Sequence, residues 1–147
     1  MNDPDSTAID AETLRAYRAT DYDVLAAPPF TLRVDEPSEA LARLLAAHSV
    51  RECAFITAYN PLGKEPDEKL GEEPNASRQA ALETELRARG VTYLPAEGRA
   101  PDGSWCEPSF LALGLTRSEA CALGRAHAQN AILCAEEGGV PELVLLR

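Results

Sequence analysis

Two short stretches of this chain carry side chains suited to chemistry. In Trp105-Cys106-Glu107-Pro108-Ser109-Phe110, strand alternation sends Trp105, Glu107 and Ser109 to one face and Cys106, Pro108 and Phe110 to the other. A glutamate beside an aromatic residue on a strand face needs a partner. Glu107 is therefore the candidate catalytic residue, a general acid or base or a carboxylate that orients a ligand hydroxyl or amine, and Ser109 is a candidate hydrogen-bond donor. The other reading of Glu107 is a buried ion pair with an arginine, tying helix to sheet. Pro108 inside the run predicts an edge or a bulge, features that often lie beside sites. The second stretch is Asn75 with Arg78. Positions 75, 78, 82 and 86 share a helical stripe with Leu82 and Leu86, so Arg78 is predicted to point inward at a helix start. Free N–H groups and the helix dipole there favour an anion. Alternatively, Asn75 is an ordinary N-cap and Arg78 pairs with a carboxylate such as Glu107.

Further candidates stand at the ends of apolar segments. Tyr59 and Asn60 close the run Cys53 to Tyr59, and Gln129 and Asn130 join a helix to a strand. The two amides either read the edge of a ligand or make a turn and cap carbonyls. His48 and His127 share stripes with leucines and have no acid or nucleophile spaced to accompany them, so they read as packed or capping residues. The four cysteines, Cys53, Cys106, Cys121 and Cys134, lack the close pairs of a zinc site or redox dithiol and read as buried free thiols. No phosphate-loop, dinucleotide, hydrolase-elbow or zincin motif is present, and no metal or cofactor is expected.

The elements that must position these residues follow from two alternating periods. Phe30 to Val34 alternates as a strand, Pro37 opens a helical stretch with Leu41, Leu44 and Leu45, and Cys53 to Tyr59 reads as a buried strand, together one βαβ unit. A helix from about Asn75 to Arg89 ends at Gly90. Strands at 91–96 and 105–113 pair as a hairpin. Thr116-Arg117-Ser118-Glu119 is a capping box opening a helix to about Ala128, and strands at 131–135 and 142–146 follow. Before residue 30 the pattern is weaker, with a helix over 12–19 and a short extended piece at 22–25. The predicted fold is α/β, with α+β as an alternative: a single-domain sandwich with a mixed sheet of five or six strands and three or four helices. Residues 1–12 are expected to form a flexible tail and 61–74 an acidic mobile loop.

Composition limits the partners. The 147 residues carry 24 acidic and 14 basic side chains, for a formal charge of −10, which argues against nucleic-acid polymers and anionic membranes. No apolar run is long enough to span a bilayer, and the N-terminus lacks the pattern of a signal peptide, so a soluble cytoplasmic protein is expected. The densest acidic block, KEPDEKLGEE at 64–73, offers a surface to a basic protein partner.

Thr20-Asp21-Tyr22, Ala58-Tyr59-Asn60-Pro61, the Asn75 and Arg78 pair, Trp105 to Phe110, and Gln129-Asn130-Ala131 together resemble an uncharacterised bacterial family catalogued as a domain of unknown function under the number 3293. The resemblance covers about residues 13–145. It implies a bacterial origin and a single-domain layout, and it assigns no activity and no catalytic residue.

Three functions of different kinds fit these residues. The first is a binding domain for a small anionic or nucleotide-like ligand, its pocket drawn from Tyr59, Asn60, Arg78, Glu107, Ser109 and Gln129 at the end of the sheet. The second is a hydrolase or transferase with Glu107 as acid or base and Arg78 stabilising negative charge. The third is an acidic protein-interaction module.

Overall fold

A computed structural model describes residues 7–63 and 73–147. Its strands are β1 (Asp21–Val24), β2 (Phe30–Leu32), β3 (Glu52–Ile56), β4 (Thr92–Arg99), β5 (Cys106–Leu113), β6 (Ala131–Glu136) and β7 (Glu142–Leu145). They form one sheet in the order β2-β1-β4-β5-β3-β6-β7, with every neighbouring pair antiparallel. The helices are α1 (Ala11–Ala19), α2 (Glu39–Ala47), α3 (Glu73–Ala88) and α4 (Arg117–Ala126). The architecture is α+β. It has one or two more strands than the sequence suggests, and its sheet is antiparallel rather than mixed.

The central strands read as continuous apolar runs because both of their faces are covered. Cys53, Phe55, Leu111, Leu113, Leu133 and Leu143 turn to one face, where α1 contributes Leu14 and α2 contributes Leu41 and Leu45. Ala54, Ile56, Ala112, Ile132 and Val144 turn to the other, beneath Leu82 and Leu86 of α3 and Ala120 and Leu123 of α4. Such runs usually mark parallel strands; here, helices on both sides of an antiparallel sheet produce the same pattern. The expected βαβ unit fails for a related reason. By the pairings, β2 and β3 run in the same direction, but β1, β4 and β5 lie between them, and α2 carries the chain from the edge of the sheet to its interior.

Local signals set most of the element boundaries. Thr116 and Glu119 form the expected capping box at the start of α4, and Ser38 caps α2 by accepting from the Leu41 N–H. The expected tail is docked from Ile9 onward: Ile9 is buried in the core and Asp10 caps α1. His48 and His127 are the C-cap residues of α2 and α4, as expected. At the β2-β1-β4 edge, Arg99 reaches Asp21 at 3.3 Å and Asp23 at 2.9 Å, and Arg33 reaches Asp21 at 2.6 Å. This network bolts the three strands together beside the cavity described below. Residues 64–72, which hold most of the acidic block and so most of the expected mobile loop and partner surface, lie outside the described residues. Among the described residues, no helix is long and apolar enough to cross a membrane.

Candidate functional site

The sheet opens where β3 and β5 part company. They pair from Cys53↔Leu113 to Ile56↔Phe110 and no further, while β5 continues along β4 to Arg99↔Cys106. Residues 106–109 of β5 therefore have β4 alone as a strand partner. This local edge accounts for Pro108 within an interior strand, since the missing N–H costs no ladder bond on the open side. The Thr57 hydroxyl takes up the freed edge by donating to the Pro108 carbonyl at 2.7 Å.

A cavity of about 390 Å³ lies at this opening, beneath α1. Its walls include Glu107 and Ser109 of β5, Thr57, Tyr59 and Asn60 of the segment after β3, and Gln129 and Asn130 before β6. Tyr17 of α1, Tyr22 of β1 and Trp105 also line it. Gly98 forms part of the floor, paired on one side with Tyr22 and on the other with Glu107, so a missing side chain leaves room between two large ones.

Six of the eight residues singled out in the sequence line this cavity; Asn75 and Arg78 do not. Asn75 is fully buried and lies inside α3, which begins at Glu73, so it is not the N-cap. Pro74 is compatible with this earlier start because first-turn N–H groups have no helical partner. Arg78 is exposed rather than inward. The buried stripe of α3 is Asn75, Gln79, Leu82 and Leu86. Position 78 lies roughly 60–70° to one side of it at 100° per residue, and a long guanidinium stem at that angle reaches water. Gln79, which the spacing equally allows, takes the inward place. Its Oε1 accepts from the Ala58 N–H at 2.8 Å and lies 3.3 Å from the Thr57 hydroxyl oxygen, pinning the segment that leaves β3.

Arg78 and Glu107 are linked through two amides rather than directly. Arg78 Nη1 donates to Asn75 Oδ1 at 3.2 Å, Asn75 Nδ2 donates to Asn60 Oδ1 at 2.9 Å, and Asn60 Nδ2 donates to Glu107 Oε2 at 3.0 Å. The Asn60 N–H also donates to Asn75 Oδ1, at 3.0 Å, so both faces of Asn60 are held and its amide has one orientation. Asn60 has a φ of 46°, left-handed backbone that asparagine tolerates better than most residues.

Most other polar walls are engaged by the protein itself. Gln129 Nε2 donates to the Tyr59 carbonyl at 3.0 Å and the His127 carbonyl at 3.3 Å. Asn130 Nδ2 donates to the Tyr17 hydroxyl at 3.0 Å, while its Oδ1 accepts from Arg147 at 2.8 Å. The two amides thus act as clamps, as the turn reading holds, while also lining the cavity. Ser109 Oγ donates to the Glu107 carbonyl at 3.1 Å, and the Tyr22 hydroxyl to the Tyr17 carbonyl at 2.6 Å.

Glu107 is different. Among the described residues, Asn60 is the only partner of its carboxylate, no ion pair reaches it, and no lysine or arginine lines the cavity. Burial pushes its pKa up to about 7, against the opposing hydrogen bond from Asn60. Burial also raises Tyr17, with the bond from Asn130 opposing and the nearby Glu107 charge adding to the rise.

Tyr17 and Tyr22 belong to the site but read in sequence only as a packing residue and part of an extended piece. They reach it from a separate part of the chain, and no local spacing links them to Glu107. The cysteines divide: Cys53 and Cys134 are buried and Cys121 is half-buried, but Cys106 is exposed. Its thiol donates to Glu97 at 3.1 Å, and partial desolvation of the sulfur together with that carboxylate pushes its pKa up to about 11. A protonated thiol is a poor nucleophile. Among the described residues, no cluster of histidine, cysteine, aspartate and glutamate is suited to a metal ion.

Comparison with curated proteins and with solved structures finds no match. A family model described as "Protein of unknown function (DUF3293)" matches residues 56–132. That span runs from the last residue of β3 to the second of β6, and it contains all eight residues nominated from the sequence. Matched over more than half of its length, the chain belongs to this family of unknown function.

Proposed function

We propose that the chain is a small-molecule-binding domain whose ligand sits at the opening of the sheet. The observation that carries this reading is Glu107, a half-buried carboxylate held by one amide inside a cavity of about 390 Å³. That volume falls in the lower part of the ~300–1,000 Å³ range of ligand sites. A charge withdrawn from water is normally paired, and the missing partner is supplied by a ligand. The clamps at Asn60, Gln129 and Asn130 fix the walls in advance, which lowers the ordering cost of binding. The anionic part of the sequence expectation has no support in the geometry, because its cation, Arg78, lies outside the cavity.

The test is a thermal-shift panel of amines, nucleosides, nucleotides, phosphorylated metabolites and carboxylates, run on the wild type and on Gly98→Val. A ligand at 100 times its Kd raises stability by about 2.7 kcal/mol, several degrees in Tm. The valine side chain fills the floor between Tyr22 and Glu107, so the shift is expected to vanish in that variant. A shift of equal size in Gly98→Val would place the ligand elsewhere and end this reading.

A second reading, an acid or base catalyst of hydrolysis or group transfer, draws support from the Glu107 pKa near 7, where a carboxyl both gives and takes protons. Under it, a ligand found by the panel is converted, and Glu107→Gln stops conversion while leaving a ligand-induced shift. Conversion at an unchanged rate in that variant would remove Glu107 from the chemistry.

A further inference from the structure

We infer that the cavity selects ligands bearing a cationic nitrogen, an ammonium, amidinium or guanidinium group, seated against the free edge of the Glu107 carboxylate. This rests on the binding reading above and names its ligand class.

The inference follows from an inventory of the polar atoms on the walls. The Asn60 and Gln129 Nδ2 and Nε2 groups, the Asn130 Nδ2, and the Ser109, Thr57 and Tyr22 hydroxyls all donate within the protein. Thr20 Oγ1 does the same, to the Ala16 carbonyl at 2.7 Å. A hydroxyl that donates its one hydrogen keeps lone pairs to accept with. Among the described residues, the donors that remain include the Tyr17 O–H, the second N–H of the Asn60 and Asn130 amides, and the indole N–H of Trp105, a residue 44% exposed. The strongest acceptor left is Glu107 Oε1, since Oε2 takes the Asn60 amide.

Such a lining rejects anions twice over. A carboxylate or phosphate would meet Glu107 with no lysine or arginine among the described wall residues to offset it. A nitrogen cation instead makes a charge-assisted hydrogen bond, about twice as strong as a neutral one. The aromatic residues suit the same partner. Tyr17, Tyr22, Phe55 and Trp105 line the cavity, and aromatic faces attract cations while accommodating an apolar stem.

A proton is the competing partner for Glu107, and a glutamine at that position mimics the protonated side chain. The probes are therefore a matched set sharing one aromatic body: 2-phenylethylamine, 2-phenylethanol and 3-phenylpropionate. Binding is followed by amide chemical shifts in titrations of the wild type, Glu107→Gln and Gly98→Val. The amine is expected to bind at least tenfold more tightly than the carboxylate and to shift the amides of Glu107, Asn60 and Thr20. Glu107→Gln should weaken the amine at least tenfold and change the alcohol less than threefold. Gly98→Val should weaken amine and alcohol alike. Equal or tighter binding of the carboxylate at these amides, or an amine affinity unchanged in Glu107→Gln, overturns the cation assignment and leaves the binding reading standing. Failure of all three probes to perturb the cavity amides of the wild type overturns this assignment; the broader panel then decides the binding reading separately.

Discussion

Glu107 concentrates the physics of the site in one side chain. Desolvation disfavours its charged form and no cation among the described residues compensates, so its pKa rises to about 7 from an ordinary carboxylate value near 4.5. Between those two values the folded chain holds a proton that the unfolded chain has released. Stability therefore falls as pH rises through this window, the reverse of a salt-bridged acid. Below the window both states are protonated and the penalty is absent; above it both are ionised and the penalty is complete, at roughly 3–4 kcal/mol. Glu107→Gln removes the titration. Urea unfolding of both proteins from pH 4 to pH 8 should give a stability difference in favour of glutamine that grows across the window and then levels off. Parallel curves would mean that the carboxyl is solvated in the folded state. The exposed Arg78 polarises the same site through Asn75 and Asn60, so its effect is carried by the orientation of two amides rather than by direct charge pairing.

Elements hold the site by close docking, and the turn between β6 and β7 shows how narrowly. Gly139 has a φ of 72°, and a Cβ there would collide with the Ser38 carbonyl and crowd the Ala42 nitrogen at 3.2 Å. Its own carbonyl accepts from the Ser38 N–H at 2.8 Å, so the turn buttresses the residue that caps α2. Gly138, one position earlier, has open space around it. Gly139→Ala should therefore cost about 2–4 kcal/mol from strained backbone and displaced helix, while Gly138→Ala stays within about 0.5 kcal/mol. Denaturation midpoints of the two variants provide the comparison, and equal values would show that the turn yields freely. The α4 capping box, the β4–β5 hairpin and the leucine stripe of α3 were all legible in the sequence because each is decided within a few residues. The choice between Arg78 and Gln79 was not, since both lie near the stripe and only the height of the sheet beneath decides which side chain is buried. The order of strands was still less legible: pairing β5 with β3 joins segments more than fifty residues apart, and covered antiparallel strands resemble parallel ones. The cavity inherits that difficulty, because its α1 wall, Ala11–Ala19, and its β5 wall, Cys106–Leu113, come from distant parts of the chain.

At the scale of the molecule, the formal charge of −10 acts on stability and on recognition together. Several ion pairs on the surface are single and solvated, such as Arg43 with Glu39 and Arg51 with Glu137, and pairs of this kind contribute about 0–1 kcal/mol. The unbalanced acids repel across the surface, and that repulsion has long range at low salt. The Asp21-Asp23-Arg33-Arg99 network is better shielded, because Asp21 is buried, and it should persist when the surface field is screened. Raising NaCl from 0.01 M to 0.15 M shortens the screening length from about 30 Å to about 8 Å, which removes more repulsion than attraction from a chain so charged. Without ligand, Tm should therefore rise by roughly 2–4 °C, for about 1 kcal/mol of relieved repulsion, and KCl should act like NaCl because screening depends on ionic strength alone. A Tm that stays flat or falls would mean that the local pairs outweigh the net charge. A cationic ligand should respond in the opposite sense, its association slowing as salt rises, because the field that strains the fold at low salt also draws positive charge toward the carboxylate in the cavity.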